Sequence, residues 1–135
     1  MTPEKSIFKA YDIRGIVGKT LTPEVTYAVG LVLGSMARDA GIDSLCVGRD
    51  GRVSGPEVSE SLMKGIAAAG TKVIDIGRVP TPVLYFAAHY FKNGSGVAVT
   101  GSHNPPEYNG LKMMLGGKTL FGEGIKDIYR AICEN

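Results

Sequence analysis

The chain has 135 residues, 44% of them hydrophobic and 21% charged, and 15 Lys and Arg against 13 Asp and Glu leave a net charge of +2. This composition suits one globular domain with a real core and excludes a disordered chain. The scattered basic residues lack the stripe of a nucleic-acid surface. No apolar run approaches the roughly 20 residues of a membrane span, and no signal-like stretch follows Glu4 and Lys5. Cys46 and Cys133 stand far apart with no metal-type spacing, so a cytoplasmic location with reduced thiols is expected.

Residues 1–10 read as a lead-in anchored by Ile7 and Phe8, and Tyr11 to Gly18 reads as a short strand with Gly15 at a bulge or close approach. Thr22-Pro23-Glu24 is a helix start: an N-cap, a proline at the first position, and an acid in the positive first turn. Val25, Ala28, Val29, Val32, Leu33, Met36 and Ala37 follow at helical spacing, and Gly41 closes the helix. Its small residues Ala28, Gly30 and Gly34 predict close packing, with a sheet as the expected neighbour.

Ser44 to Gly48 reads as a strand buried on both faces, running into the charged turn Arg49-Asp-Gly-Arg-Val-Ser-Gly55. Ser54 and Glu57 have capping-box spacing for a helix ending near Ala69. Lys72 to Ile76 is the next strand. Thr81-Pro82 repeats the cap-and-proline start for a helix through about Phe91, and Val97 to Thr100 is a further strand. A loop of about ten residues leads to a strand from Leu111 to Leu115. Gly116-Gly117 then makes a turn, and Ile125, Ile128, Tyr129 and Ile132 mark a last amphipathic helix.

Strands alternating with helices predict an α/β fold: a three-layer α/β/α sandwich around a mixed, mostly parallel sheet of about four strands. The last strand, returning without a helix, is expected to be antiparallel. Ligands of such sheets bind beyond the carboxyl ends of the parallel strands. Arg14, the turn from Arg49 to Arg52, and Ser102 all fall at or just after strands.

The chemistry concentrates in Thr100-Gly-Ser-His-Asn-Pro-Pro-Glu-Tyr-Asn-Gly-Leu-Lys112, where Ser102, His103, Asn104 and Lys112 sit on or beside a turn stiffened by two prolines. A Ser–His hydrolase is disfavoured. Neighbouring side chains on extended backbone diverge, and the pattern G-x-S-x-G is absent. Phosphoryl chemistry fits better: a serine that carries the group, cations around its oxygens and a proton shuttle. Taken singly, each residue also has an ordinary reading as a turn serine, a solvated lysine or a surface arginine. No dinucleotide fingerprint or P-loop is present.

Together the residues are recognisable. The segment from Thr100 to Lys112 resembles the phosphoserine loop of the α-D-phosphohexomutases, the phosphomannomutase and phosphoglucomutase family. Phe8-Lys-Ala-Tyr-Asp-Ile-Arg-Gly15, Gly48-Arg-Asp-Gly-Arg-Val-Ser-Gly55 and Gly77-Arg-Val-Pro-Thr-Pro82 resemble that family's other first-domain motifs, in the same order. The resemblance implies an isomerase that moves a phosphoryl group between C1 and C6 of a hexose phosphate, through a 1,6-bisphosphate and an enzyme phosphoserine, with Mg²⁺. It implies Ser102 as the phosphoserine, Lys112 as general acid/base, and His103 and Arg14 at the transferring group. It further implies Tyr11, Arg14, Asn104 and Asn109 against the substrate, and a phosphate oxygen on Ser102 as one metal ligand.

Residues 1–135 resemble the first domain alone. The Asp-rich D-G-D-x-D loop that completes the family's Mg²⁺ site is absent from this sequence, and Mg²⁺ demands a full octahedral shell. The expected partners are therefore a hexose phosphate and the remaining mutase domains, with no nucleic acid and no membrane. The isolated chain is expected to turn over little substrate. The alternative is a non-catalytic phosphosugar- or anion-binding module, although anion binding alone needs neither a nucleophile nor a proton shuttle.

Overall fold

The structure, a computed structural model, describes residues 1–134; Asn135, the last residue of the expected domain, lies outside them. The elements in chain order are a 3₁₀ turn (Lys5–Ile7), β1 (Ile13–Ile16), α1 (Pro23–Asp39), β2 (Ser44–Arg49), α2 (Gly55–Ala68), β3 (Lys72–Arg78), α3 (Thr81–Tyr90), β4 (Gly96–Val99), β5 (Tyr108–Leu115), β6 (Lys118–Thr119) and α4 (Glu123–Glu134). The sheet runs β1-β5-β4-β2-β3, with β6 beside β5. β2 pairs parallel with β3 and β4, whereas β5 pairs antiparallel with β4, β1 and β6. Five strands thus share one direction and β5 alone is reversed, as expected for the strand that returns without a helix. The count is six rather than four, because β1 forms an edge against β5 and two residues after the Gly116-Gly117 turn pair back as β6.

Side chains alternate across the sheet. Leu45 and Val47 of β2, Val97 and Val99 of β4, and Leu111 and Met113 of β5 join Leu33, Leu62, Ile66, Ile125 and Ile128 in one core under α1, α2 and α4. Cys46 and Ala98 face the other way, into a smaller core with Leu84 and Ala87 of α3. These are the three layers. Each fully buried Ile, Leu or Val contributes about 1.5–3 kcal/mol through apolar area removed from water. The outer face of α3 keeps Phe86, Tyr90 and Phe91 in contact with solvent.

Three local readings need correction. Gly30 and Gly34 of α1 face α2 rather than the sheet, while Ala28 lies on another side near Ile132 of α4: a methyl on Gly30 would sit beside the Leu62 carbonyl, and one on Gly65 beside that of Tyr27. Ser54 occupies the N-cap of α2 without making a capping bond, because its hydroxyl instead accepts from Asn109 Nδ2 at 2.9 Å. Pro80, not Thr81, is the N-cap of α3. The start of α1 is as expected, with the Thr22 hydroxyl accepting from the Val25 N–H. Gly41 (φ 75°) and Gly70 (φ 92°) both take the left-handed conformation beyond a helix end.

Candidate functional site

β2 and β4 lie side by side and parallel, so the turn after Arg49 and the loop after Val99 emerge together at one edge of the sheet. The chain leaves β2 towards β3 on one side and enters β4 from the other. That divergence is the crevice where open α/β sheets bind ligands. Ser102 lies there, beside a pocket of about 450 Å³ lined by Asp50, Gly51, Arg52, Val53, Ser102, Asn104 and Pro106.

The loop is held from beneath by two residues of the β2 turn. Asp50 Oδ2 accepts from Thr100 Oγ1 at 2.8 Å and from the Gly101 N–H at 3.2 Å, while its Oδ1 accepts from the Arg52 N–H. Arg52 Nη1 donates to the carbonyls of Pro105 (2.7 Å) and Tyr108 (3.1 Å), and Nη2 to those of Ser102 (2.9 Å) and Asn104 (2.6 Å). Its Nε faces Asp50 at 3.7 Å. Gly101 carries no side chain because any Cβ there would overlap this guanidinium.

Ser102 itself has φ 53°. The left-handed region is costly for a residue with a side chain, roughly 1–3 kcal/mol, and such strain collects at functional sites. The loop is therefore a tight turn at this point and not the extended backbone assumed in weighing Ser102 against His103. The Ser102 N–H donates to Thr100 Oγ1 at 3.1 Å, its carbonyl faces Arg52, and its hydroxyl projects to solvent with no protein partner among the described residues. His103 is exposed and likewise unpaired. Asn104 Nδ2 donates back to the Gly101 carbonyl at 3.0 Å, closing the turn.

Arg14 and Lys112 arrive from the neighbouring strands. Ile13, Leu111 and Met113 point into the large core, so alternation turns Arg14 and Lys112 to the α3 side. Arg14 pairs with Gly110, and Thr100 donates its N–H to the Gly110 carbonyl from the other side. Arg14, Gly110 and Thr100 thus form one row across the sheet, with Ser102 two residues beyond. A Cβ on Gly110 would come within 2.7 Å of the Ile13 carbonyl oxygen and 3.2 Å of that of Thr100. Lys112, diagonal to Arg14, has no partner among the described residues, and Arg14 makes only a 4.0 Å contact with Asp12.

Tyr11 is 73% exposed at the entry to β1. Asn109 is placed differently: it is fully buried, with its amide spent on Ser54 and on the Gly110 N–H, and offers no surface to a sugar. A divalent metal finds no donor set, since no three His, Cys, Asp or Glu among the described residues cluster to hold one. Asp50, the carboxylate under the loop, has both oxygens engaged. No described helix is long and apolar enough to cross a membrane. Sequence reasoning assigned no role to Arg52, Asp50 and Thr100. The available signal was their position, in a charged turn directly after a buried strand.

Comparison with known proteins identifies the fold and the family. The family of phosphoglucomutase/phosphomannomutase α/β/α domain I matches residues 5–135. The chain is 55% identical over 128 residues to a phosphoglucomutase of Neisseria meningitidis and 51% identical over 130 residues to a phosphomannomutase/phosphoglucomutase of Pseudomonas aeruginosa. These alignments cover 95% and 96% of the chain but 28% of each relative. A crystal structure of a phosphoglucomutase/phosphomannomutase family protein from Burkholderia thailandensis superposes with a TM-score of 0.92 at 48% identity, covering 98% of this chain and 31% of that one. The chain belongs to the phosphoglucomutase/phosphomannomutase domain I family.

Proposed function

We propose that residues 1–135 are the phosphoserine-bearing first domain of a cytoplasmic hexose-phosphate mutase of phosphomannomutase/phosphoglucomutase type. The observation that carries this reading is Ser102: a nucleophile held at φ 53° on a fixed loop, with its hydroxyl unbonded and exposed. Simple anion binding requires no such strained serine.

In the proposed reaction a hydroxyl oxygen of the bound hexose phosphate attacks the phosphorus of phospho-Ser102. A P–O bond to the sugar forms as the bond to Ser102 Oγ breaks, giving the 1,6-bisphosphate. Lys112 takes the hydroxyl proton, the Ser102 oxygen leaves with the bonding electrons and is protonated from solvent, Arg14 neutralises charge on the phosphoryl oxygens, and His103 and Asn104 donate to the transferring group. Tyr11 lies against the sugar. In the second half, with the bisphosphate reoriented, Ser102 attacks its other phosphate, recovers a phosphoryl group and leaves the isomeric monophosphate. The described residues hold no donor set for Mg²⁺, so beyond a phosphate oxygen on Ser102 the metal ligands, together with the elements that choose the sugar, would come from the remaining domains. The chain by itself would have little turnover.

The test is a chimera in which the chain replaces the matching segment of the Neisseria meningitidis phosphoglucomutase. The expected result is glucose-phosphate mutase activity that disappears with Ser102→Ala. A folded but inactive chimera, or one active with Ser102→Ala, would contradict the proposal.

A further inference from the structure

The Arg52 guanidinium has five N–H groups, and the structure accounts for all of them: four point to carbonyls of the 102–108 segment and the fifth faces Asp50. The side chain is only 15% exposed. Arg52 therefore has both terminal nitrogens committed to the loop, and its Nε, 3.7 Å from Asp50, is turned to that carboxylate and not to a ligand. Its contacts instead run along the loop from Ser102 to Tyr108, spanning 50 to 56 residues of sequence.

We propose that Arg52 is the positioning residue of this site: the cation that keeps Ser102 in its left-handed conformation and withdraws four carbonyl oxygens from the phosphoryl group. The proposal rests on the reading of Ser102 as phosphoryl acceptor. Two physical facts support it. The Ser102 conformation is unfavourable for an L-residue and persists only where its surroundings impose it. Of the contacts that impose it, the guanidinium bond to the Ser102 carbonyl at 2.9 Å and the Thr100 bond to its N–H at 3.1 Å act on Ser102 itself. The other three carbonyls on Arg52 fix the direction in which the loop leaves. Carbonyl dipoles near a transferring phosphoryl group raise its energy, so a loop with its carbonyls gathered on a cation is preorganised for the reaction before substrate arrives. A planar fork can hold four acceptors in this way, whereas an ammonium with three donors cannot.

The experiment uses NMR on the chain with Arg52→Lys and Arg52→Ala. The carbon chemical shifts of Ser102 are expected to lose their left-handed signature in both, and amide exchange across residues 101–108 to accelerate while β2 and β4 stay protected. Millimolar guanidinium added to Arg52→Ala is expected to restore both signals by refilling the site. In the chimera, Arg52→Lys is expected to lower kcat about a hundredfold, the scale of a misplaced reacting group, with KM for the hexose phosphate nearly unchanged. An unchanged Ser102 signature in both variants would overturn the assignment. So would global unfolding of Arg52→Lys, which would make Arg52 a determinant of the fold as a whole. If the signature depends on Arg52 but Ser102 never accepts phosphate, the reading of Ser102 fails and the role of Arg52 in the loop stands.

Discussion

Thr100 and Asp50 join the ends of two parallel strands through a 2.8 Å hydrogen bond, and the same Thr100 hydroxyl accepts from the Ser102 N–H at 3.1 Å. One buried hydroxyl thus links the β2 turn to the residue that carries the proposed chemistry. Thr100→Val keeps the shape of the side chain and removes both bonds. It leaves the half-buried Asp50 Oδ2 with the Gly101 N–H alone and the Ser102 N–H without its partner, which costs about 1–3 kcal/mol. Urea unfolding is expected to show that loss with an unchanged m-value, and wild-type stability would count against the link.

Lys112 stands unpaired on the face that it shares with Arg14. Lys112→Met in the chimera is expected to lower kcat by about 10²–10⁴-fold, the range for a lost general acid/base. Steady-state kinetics that moved KM alone would make Lys112 a binding residue instead.

At the crossing of α1 and α2, Gly30 and Gly65 bring two backbones together with no room for a methyl group. Gly65→Ala is expected to destabilise the chain by about 3 kcal/mol, because backbone on the facing helix cannot yield as a side chain would. A thermal midpoint within a degree or so of wild type would contradict this packing.

The two thiols differ in environment: Cys133 is exposed and Cys46 is buried under α3. Burial pushes the Cys46 thiol up, outweighing the smaller downward pull of the Asn93 amide. The folded state therefore holds this proton more tightly than the unfolded chain, whose thiol titrates near about 8.5. Its contribution to stability is complete below that value and is lost as pH rises through the folded pKa. One thiol, Cys133, is expected to react with a maleimide under native conditions, and Cys46 only on unfolding. Cys46→Ala is expected to flatten the alkaline loss of stability.

Much of the layer order was legible in the sequence because each element carried a local mark. Thr22-Pro23 opened α1, Gly41 closed it, and the apolar run from Ser44 to Gly48 declared a strand covered on both sides. The errors arose where a side chain had a distant partner. Ser54 and Glu57 have the spacing of a capping box, but the Ser54 hydroxyl is taken by Asn109 from 55 residues away. The same holds for the site. Ser102, Lys112 and Arg14 could be named from their motifs, but the clamp by Arg52 and Asp50 depends on β2 and β4 being neighbours. Spacing along the chain does not encode that adjacency. Nor does it reveal the positive φ of Ser102, since nothing in Gly-Ser-His-Asn singles out the serine over Gly101 for a left-handed conformation.

The central claim is that Ser102 is the phosphoryl carrier, and the most direct measurement is the intact mass of the chain. It would be taken before and after excess hexose 1,6-bisphosphate with Mg²⁺, with and without the remaining domains of a relative, beside Ser102→Ala. The account predicts a gain of about 80 Da, one phosphoryl group, once the other domains are present. Fragment spectra should place it on Ser102, and the Ser102→Ala protein should gain nothing. No gain in any arrangement, or an equal gain in Ser102→Ala, would contradict the account.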